Sequence, residues 1–111
     1  MSTPASYPLS IRIGDTETIN LTVTDADGPI DITGRTYAAQ IRVAIDDATP
    51  IATFVCAIAD AAGGRVTCSL TATVTGALVP NSAVWDLHET NGAVVTTLLA
   101  GPVQIQRGVT R

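Results

Sequence analysis

The chain has 111 residues, of which 46% are hydrophobic, 14% are charged and 4% are aromatic, and its net charge is −4. The apolar fraction excludes an intrinsically disordered chain, and the length predicts one domain with its own core. No apolar segment approaches the roughly 18 residues of a membrane helix, and the first eight residues lack the basic region and apolar run of a signal peptide. We therefore expect no membrane contact.

Basic residues are few and dispersed. All six are arginines, and ten carboxylates outnumber them. A nucleic-acid surface requires clustered cations, so we expect no nucleic-acid partner. The chain contains 17 threonines and 16 alanines, which leaves the non-core positions mostly small and neutral. Such a surface is typical of one that an assembly covers, although a bias in base composition would produce the same residues.

The dominant hydrophobic period along the chain is two, which is typical of half-buried β-strands. This alternation predicts strands around residues 9–13, 18–24, 36–43, 65–70 and 103–106. Turn-forming residues separate the strands at 14–15, 25–29, 33–35, 46–50, 60–64 and 91–92. Residues 71–78 form either one helical turn or a loop that crosses between sheets, and Pro80 ends this segment.

This spacing predicts an all-β fold. Eight or nine short strands in about 110 residues favour a sandwich over a closed barrel, so we predict an antiparallel β-sandwich of about eight strands with at most one helical turn. The sandwich is predicted at residues 9–107, between an N-terminal arm at 1–8 and a C-terminal tail at 108–111, both of which we expect to order on assembly. The predicted core includes Tyr37, Phe54, Cys56, Cys68, Trp85 and Leu87.

The two cysteines are predicted to face each other. A hairpin at residues 61–62 that pairs Ile58 with Val66 also pairs Cys56 with Cys68 on the core side, at a separation that permits a disulfide. In the reducing compartment expected for this chain we favour two free thiols over a disulfide. Two cysteines and one histidine are too few for a structural zinc site, so we expect no metal or other cofactor.

The last hairpin is predicted from the Asn-Gly pair at 91–92, which favours a type I′ turn and places Trp85 in the core opposite Leu98. His88, the only histidine, follows on the same strand and shares a face with Asp86. Neither a catalytic serine nor the second histidine of a zinc protease accompanies this pair in sequence. We interpret His88 as a strand residue at the rim of the sheet and expect no catalytic residue.

Three aspartates, Asp25, Asp27 and Asp31, resemble the opening of a calcium loop. An EF-hand loop needs a glutamate at its twelfth position, where this chain has Thr36, and helices on both sides. We interpret the aspartates as turn residues whose carboxylates accept backbone hydrogen bonds. The alternative is a small carbohydrate-binding module that calcium stabilises at these residues, although aromatic residues for a sugar platform are scarce.

Several segments together resemble a known family. Residues 9–16 (LSIRIGDT) and 20–34 (NLTVTDADGPIDITG) are similar to small tailed-phage virion proteins and to the N-terminal domain of phage baseplate upper proteins. The segments that continue the likeness are 39–42 (AQIR), 85–87 (WDL), 98–103 (LLAGPV) and 109–111 (VTR). The resemblance implies an immunoglobulin-like β-sandwich that serves as an attachment module on a virus particle, and it supplies no catalytic residues.

From this resemblance we expect a non-enzymatic structural component of a tailed-phage virion, present in several copies. It would be an adaptor in the tail or baseplate that attaches a fibre or spike to other virion proteins. The alternative within the virion is a capsid decoration protein that contacts the major capsid protein. Arginine is enriched at interfaces because it forms paired hydrogen bonds with carboxylates. The candidate interface residues are Tyr7, Arg12, Arg42, Arg107 and Arg111.

Overall fold

The computed structural model describes residues 5–107, so the predicted tail and the first four residues of the predicted arm lie outside it. Seven strands have five or more residues: β2 (Leu9–Ile13), β3 (Glu17–Thr22), β6 (Thr36–Arg42), β8 (Val55–Asp60), β9 (Arg65–Leu70), β10 (Asn81–Asn91) and β11 (Val94–Arg107). Four strands have two residues each: β1 (Ala5–Ser6), β4 (Thr24–Asp25), β5 (Gly28–Pro29) and β7 (Ala52–Thr53). The one described helix is α1 (Ala72–Gly76).

The strands form two packed sheets and one small hairpin. Sheet A has the order β1-β11-β10-β6-β7, with β2 also paired to β11. Sheet B has the order β3-β9-β8, and β4 pairs with β5 on its own. The predicted all-β sandwich is confirmed. The pairing is antiparallel except at β11, where β1 and β2 are both parallel to it.

The core lies between the two sheets and follows the period of two in the sequence. On β9 the residues Val66, Cys68 and Leu70 are buried, and the residues between them are more exposed. Full burial of a large aliphatic side chain contributes about 1.5–3 kcal/mol relative to leaving it in water. The largest fully buried side chains are Ile11, Ile32, Ile41, Leu70, Leu87 and Ile105.

The chain crosses between the sheets four times: from β2 to β3, from β3 through the small hairpin to β6, from β7 to β8, and from β9 through α1 to β10. Strand β7 pairs with β6 in sheet A, whereas β8 pairs with β9 in sheet B, so the third crossing is at Phe54. The Phe54 N–H donates to the Ala39 carbonyl at 2.9 Å, and its ring lies 5.7 Å from that of Trp85. The fourth crossing is α1, and within residues 5–107 no helix is long and apolar enough to span a membrane.

The first residues of the described chain belong to sheet A. Strands β1 and β2 pair with β11 in one register, with Ala5 opposite Leu99 and Leu9 opposite Val103. The ladder is interrupted between the two strands, where the chain contains a proline that has no backbone N–H. Residues 5–8, which the sequence assigns to an arm, therefore continue the sandwich. A two-residue parallel strand is too short for the alternation of side chains to predict it.

The turn of the last hairpin differs from the predicted one. Asn91 pairs with Val94, so the two loop residues are Gly92 and Ala93. Gly92 has a φ of 62°, and among the residues that the structure describes no non-glycine residue has a positive φ. A positive φ at the first loop position alone is the pattern of a type II′ turn, not of type I′.

A bulge changes the register of the same hairpin again. Leu98 is an extra residue on β11, inserted between the partners of Leu87 and His88. The turn shifts the pairing by two residues and the bulge by a third, so Trp85 lies opposite Gly101 and not opposite Leu98 as predicted. Bulges leave little trace in a hydrophobic pattern, which explains the error.

Gly101 leaves space for the N-terminal segment. The Trp85 indole Nε1–H donates to the Tyr7 carbonyl oxygen at 2.8 Å, and the two rings meet edge to face at 5.9 Å. A Cβ atom on Gly101 would lie 2.7 Å from the same Tyr7 oxygen. The absence of a side chain at this position therefore allows the segment to pack against the sheet.

We predict that Gly101→Ala lowers the free energy of unfolding by about 1–3 kcal/mol, because the new methyl group overlaps the Tyr7 backbone. Urea denaturation measures the change. The matched control is Gly76→Ala, where no atom lies within 4 Å of the new Cβ. The control is expected to leave stability unchanged or to raise it by about 0.4–1 kcal/mol. Equal effects of the two substitutions would contradict the steric argument.

Thr75 connects α1 to the turn after β2. Its hydroxyl is fully buried, donates to the Asp15 carbonyl at 2.7 Å and accepts from the Gly14 N–H at 3.2 Å. Both backbone groups belong to a turn with no ladder partner of its own, so these two hydrogen bonds, each worth about 0.5–1.5 kcal/mol, connect the turn to the helix.

We expect Thr75→Val, which keeps the side-chain shape, to lower the free energy of unfolding by about 1–3 kcal/mol, because it leaves these backbone groups without their partner. Thr73→Val on the exposed face of the same helix is the control, with a change within about 0.5 kcal/mol. Thermal unfolding followed by circular dichroism compares the two. A Thr75→Val protein as stable as the control would show that the buried hydroxyl contributes nothing.

Candidate protein-binding surface

A groove of about 610 Å³ lies on the outer face of sheet A. Its side chains come from the adjacent strands β6, β10 and β11 and from the loop after β6. Strand pairing aligns them in rows across the sheet. The first row is Arg42, Val84 and Pro102, and the second is Gln40, Asp86 and Ala100.

The alternation of β10 produces this surface. Trp85 and Leu87 point into the core, so their neighbours Val84, Asp86 and His88 point outward. These outward residues are half-buried because β10 has a paired strand on each side. Strand β11 contributes Ala100, Gly101 and Pro102 to the groove, and because these side chains are short or absent the surface is concave there. The result is a shallow concave face on which the apolar residues Val84, Ala100 and Pro102 lie beside the polar residues Gln40, Arg42, Asp86 and His88.

Arg42 fixes the loop that borders the groove. One terminal nitrogen of its guanidinium donates to the Gln40 Oε1 at 2.7 Å, and the other donates to the Asp47 carbonyl at 3.3 Å. The second contact holds the loop after β6 against the sheet. Ile45 lies in this loop, lines the groove and is 83% exposed. Val55, Val79, Val94 and Val95 are also more than 60% exposed, and Ile45 differs from them in that it lines the groove.

The pair Asp86 and His88 lies within this groove, on one face of β10 as predicted. The His88 Nε2 is 3.3 Å from the Asp86 Oδ2, and both side chains are more than two-fifths exposed. Nucleophilic catalysis would need a hydroxyl or thiol beside the imidazole. Among the described residues that line the groove, none carries either group. The pair leaves two partly exposed polar side chains on the central strand of the groove.

The candidate interface residues do not form one surface. Arg42 lines the groove, whereas Arg12 and Arg107 are exposed on β2 and at the end of β11 and do not line it. Tyr7 packs the edge of its ring against Trp85 and is partly exposed. Arg111 lies outside the described residues. Sequence reasoning missed Ile45, because a loop isoleucine carries no periodic signal that separates a contact residue from a buried one.

The predicted core residues differ in their burial. Phe54, Cys68, Trp85 and Leu87 are buried, whereas Tyr37 and Cys56 are half-buried and pack against the edge of the core. Position in the sandwich explains the difference. Tyr37 lies near the end of sheet A, and Cys56 lies on β8, the outermost strand of sheet B.

A buried carboxylate closes the core near Tyr37. Glu89 occupies an inward position of β10, where it accepts from the Tyr37 hydroxyl at 2.7 Å and pairs with the Arg35 guanidinium at 3.3 Å. Burial raises the pKa of Tyr37, and the hydrogen bond to Glu89 raises it further. Buried charge is costly unless it is paired, which this arrangement achieves. The sequence contains a signal for this position, because Glu89 lies an even number of residues after Trp85 on the same strand and therefore points to the same, inward face.

The cysteines lie opposite each other, as the hairpin count predicts. Cys56 pairs with Cys68 in the ladder between β8 and β9, and both are free thiols in the structure. The hydrogen bond between them lowers the pKa of Cys56. The same hydrogen bond, together with burial, raises the pKa of Cys68. Cys56 is therefore the more reactive of the two, since it is also the more accessible.

We predict two titratable thiols per chain under denaturing conditions without reductant. In the native protein a thiol-alkylating reagent is expected to modify Cys56 first, because this residue is half-buried whereas Cys68 is buried, and because the hydrogen bond from Cys68 lowers the pKa of Cys56. Peptide mapping by mass spectrometry after short labelling times measures the order. Zero thiols after denaturation would show a disulfide, and faster labelling of Cys68 would contradict the assigned reactivity.

The aspartates that resemble a calcium loop are engaged in their own turns. The Asp25 Oδ1 accepts from the Asp27 N–H at 2.8 Å, and the Asp31 Oδ1 accepts from the Thr33 N–H and hydroxyl at 2.9 and 2.6 Å. The hydrogen bonds from Thr33, its hydroxyl first, lower the pKa of Asp31. Within residues 5–107 no group of three or more histidines, cysteines or acidic residues is placed to hold a metal ion.

The groove thus combines apolar and polar side chains with an exposed isoleucine on a three-strand support. Such a surface suits binding of another protein, since apolar contacts supply affinity and polar groups supply orientation. Comparison with known proteins adds no relative: no protein family matches the chain, and no curated protein is significantly similar to it.

Proposed function

We propose that this chain is a non-enzymatic protein-binding module of a tailed-phage virion, an adaptor β-sandwich in the tail or baseplate. The observation that carries the binding role is the 83% exposed Ile45 beside the groove on sheet A. The virion setting rests on the resemblance of the sequence to phage virion and baseplate upper proteins. The partner is another virion protein.

The groove is suited to binding because little of it must become ordered. Three hydrogen-bonded strands hold its floor, and Arg42 holds its bordering loop, so association costs little conformational entropy. The residues Val84, Ala100 and Pro102 carry no charge and are cheap to desolvate. Ile45 supplies an aliphatic anchor, and Arg42 and Asp86 provide one charge of each sign within the groove.

The order of the strands supports an immunoglobulin-like assignment of the sandwich. The second strand, β2, runs parallel to the last strand, β11, while β3, β9 and β8 form the opposite sheet. In immunoglobulin-like domains two antiparallel sheets with connections between them enclose the core, and apart from the parallel pairs at β11 this sandwich has the same arrangement. Sandwiches of this kind serve as rigid supports for binding surfaces, which is consistent with an adaptor.

The virion setting is tested by mass spectrometry of purified particles that have been separated into tail and capsid fractions. We expect the chain in the tail fraction, because the resemblance is to baseplate proteins. Recovery in the capsid fraction would contradict the tail assignment and favour a decoration protein. Absence from both fractions would refute a virion component.

The binding surface is tested by Ile45→Asp, which places a charge at the proposed apolar contact. We expect incorporation into particles to fall at least tenfold, the effect of losing about 1.4 kcal/mol of binding free energy. The control is Val79→Asp, a change of another exposed loop aliphatic that does not line the groove and is 68% exposed. Equal incorporation of the two variants would show that the groove is not the contact.

A further inference from the structure

The edge of sheet B presents an apolar strand. Strand β8 pairs with β9 on one side, and in the part of the chain that the structure describes no strand pairs with its other side. Val55 is 66% exposed and Ile58 is 36% exposed, and the alanines of the strand are exposed as well. Unpaired N–H and C=O groups along such an edge form a template for another strand.

The edge lacks most of the features that prevent strand addition. Proteins commonly protect an edge with lysine, proline, an inward charge or a bulge. Residues 55–59 contain none of the first three, and the bulge lies between Ile58 and Asp60, at the end of the strand. The opposite edge of the same sheet, β3, carries Glu17 and exposed threonines instead.

We propose that β8 pairs with β8 of a second copy of this chain, antiparallel and centred on Ala57, which joins two three-stranded sheets into one of six strands. This inference rests on the edge of sheet B and is independent of the groove on sheet A. In an antiparallel pair, residues directly opposite each other point to the same face of the sheet. Two copies of one strand meet this condition only when the two-fold axis passes through a residue position, and not when it passes between two residues. Ala57 is the small residue at the middle of the exposed segment.

The side chains of β8 complement themselves in this register. Cys56 of one copy lies opposite Ile58 of the other, and both are incompletely covered within the single chain. Each isoleucine then covers the partly open core edge at the other copy's cysteine. On the outer face Val55 lies opposite Ala59 of the second copy, an apolar pair of modest volume.

Charge does not oppose this arrangement. Asp60 is the one ionisable carboxylate of β8, and it follows the segment that pairs. In the centred antiparallel register the two Asp60 residues lie six strand positions apart, or about 20 Å at 3.3 Å per residue. This separation exceeds the screening length of about 8 Å at physiological ionic strength, so their repulsion is small. Residues 55–59 carry no charged group that would favour a strand of a different protein over a second copy of this chain.

Sedimentation velocity of the whole chain over a range of concentrations up to about 1 mM tests the proposal. The unmodified chain is expected to form dimers as concentration rises. Ala57→Arg and Ala57→Glu each place like charges at the two-fold axis and are expected to remain monomeric. An equimolar mixture of the two variants is expected to recover a heterodimer. Thr18→Arg, an exposed outward position on β3, is the control and should dimerise normally.

Three results would overturn the proposal. The first is an unmodified chain that stays monomeric throughout, and the second is an Ala57→Arg protein that still dimerises. If the variants do not fold, amide hydrogen exchange of the unmodified chain decides instead. Protection of the β8 amides against exchange must then rise with protein concentration, while protection of the β3 amides stays constant. The third overturning result is the same dependence of protection on concentration for both strands.

Discussion

The alternation of side chains along β10 is the constraint on which both the core and the candidate binding surface depend. Trp85 and Leu87 face inward, and Val84 and Asp86 face the groove, so successive residues of one strand serve the two purposes. A slip of one residue against β6 or β11 would exchange the two faces. The hydrogen bond from Trp85 to the Tyr7 carbonyl secures this register further, because it connects β10 to the first described residues of the chain.

Local pairings could be predicted from the sequence, and distant ones could not. The hairpin of β8 and β9 follows from its turn and its alternating residues, and this count placed Cys56 opposite Cys68 correctly. The hairpin of β10 and β11 has the same kind of signal, but a bulge at Leu98 adds a residue that leaves the hydrophobic pattern nearly unchanged. The parallel strand β1 depends on contacts with residues more than 90 positions away, and two residues show no period.

The candidate surface was only partly predictable for a related reason. Arg42 and the shared face of Asp86 and His88 follow from strand alternation. Ile45 lies beyond the end of β6, in a loop that Arg42 contacts through the Asp47 carbonyl, and no sequence pattern predicts this contact. Ile45 borders the groove on sheet A and β8 is an edge of sheet B, so one copy can use both without competition.

Electron cryo-microscopy of the assembled particle shows directly whether this sandwich acts through its sheet A surface. We expect a neighbouring virion protein whose density covers the groove and encloses Ile45, with no substrate or cofactor between the two proteins. A particle in which the sandwich is ordered but the groove faces solvent, with the neighbour bound elsewhere, would refute the proposed binding surface.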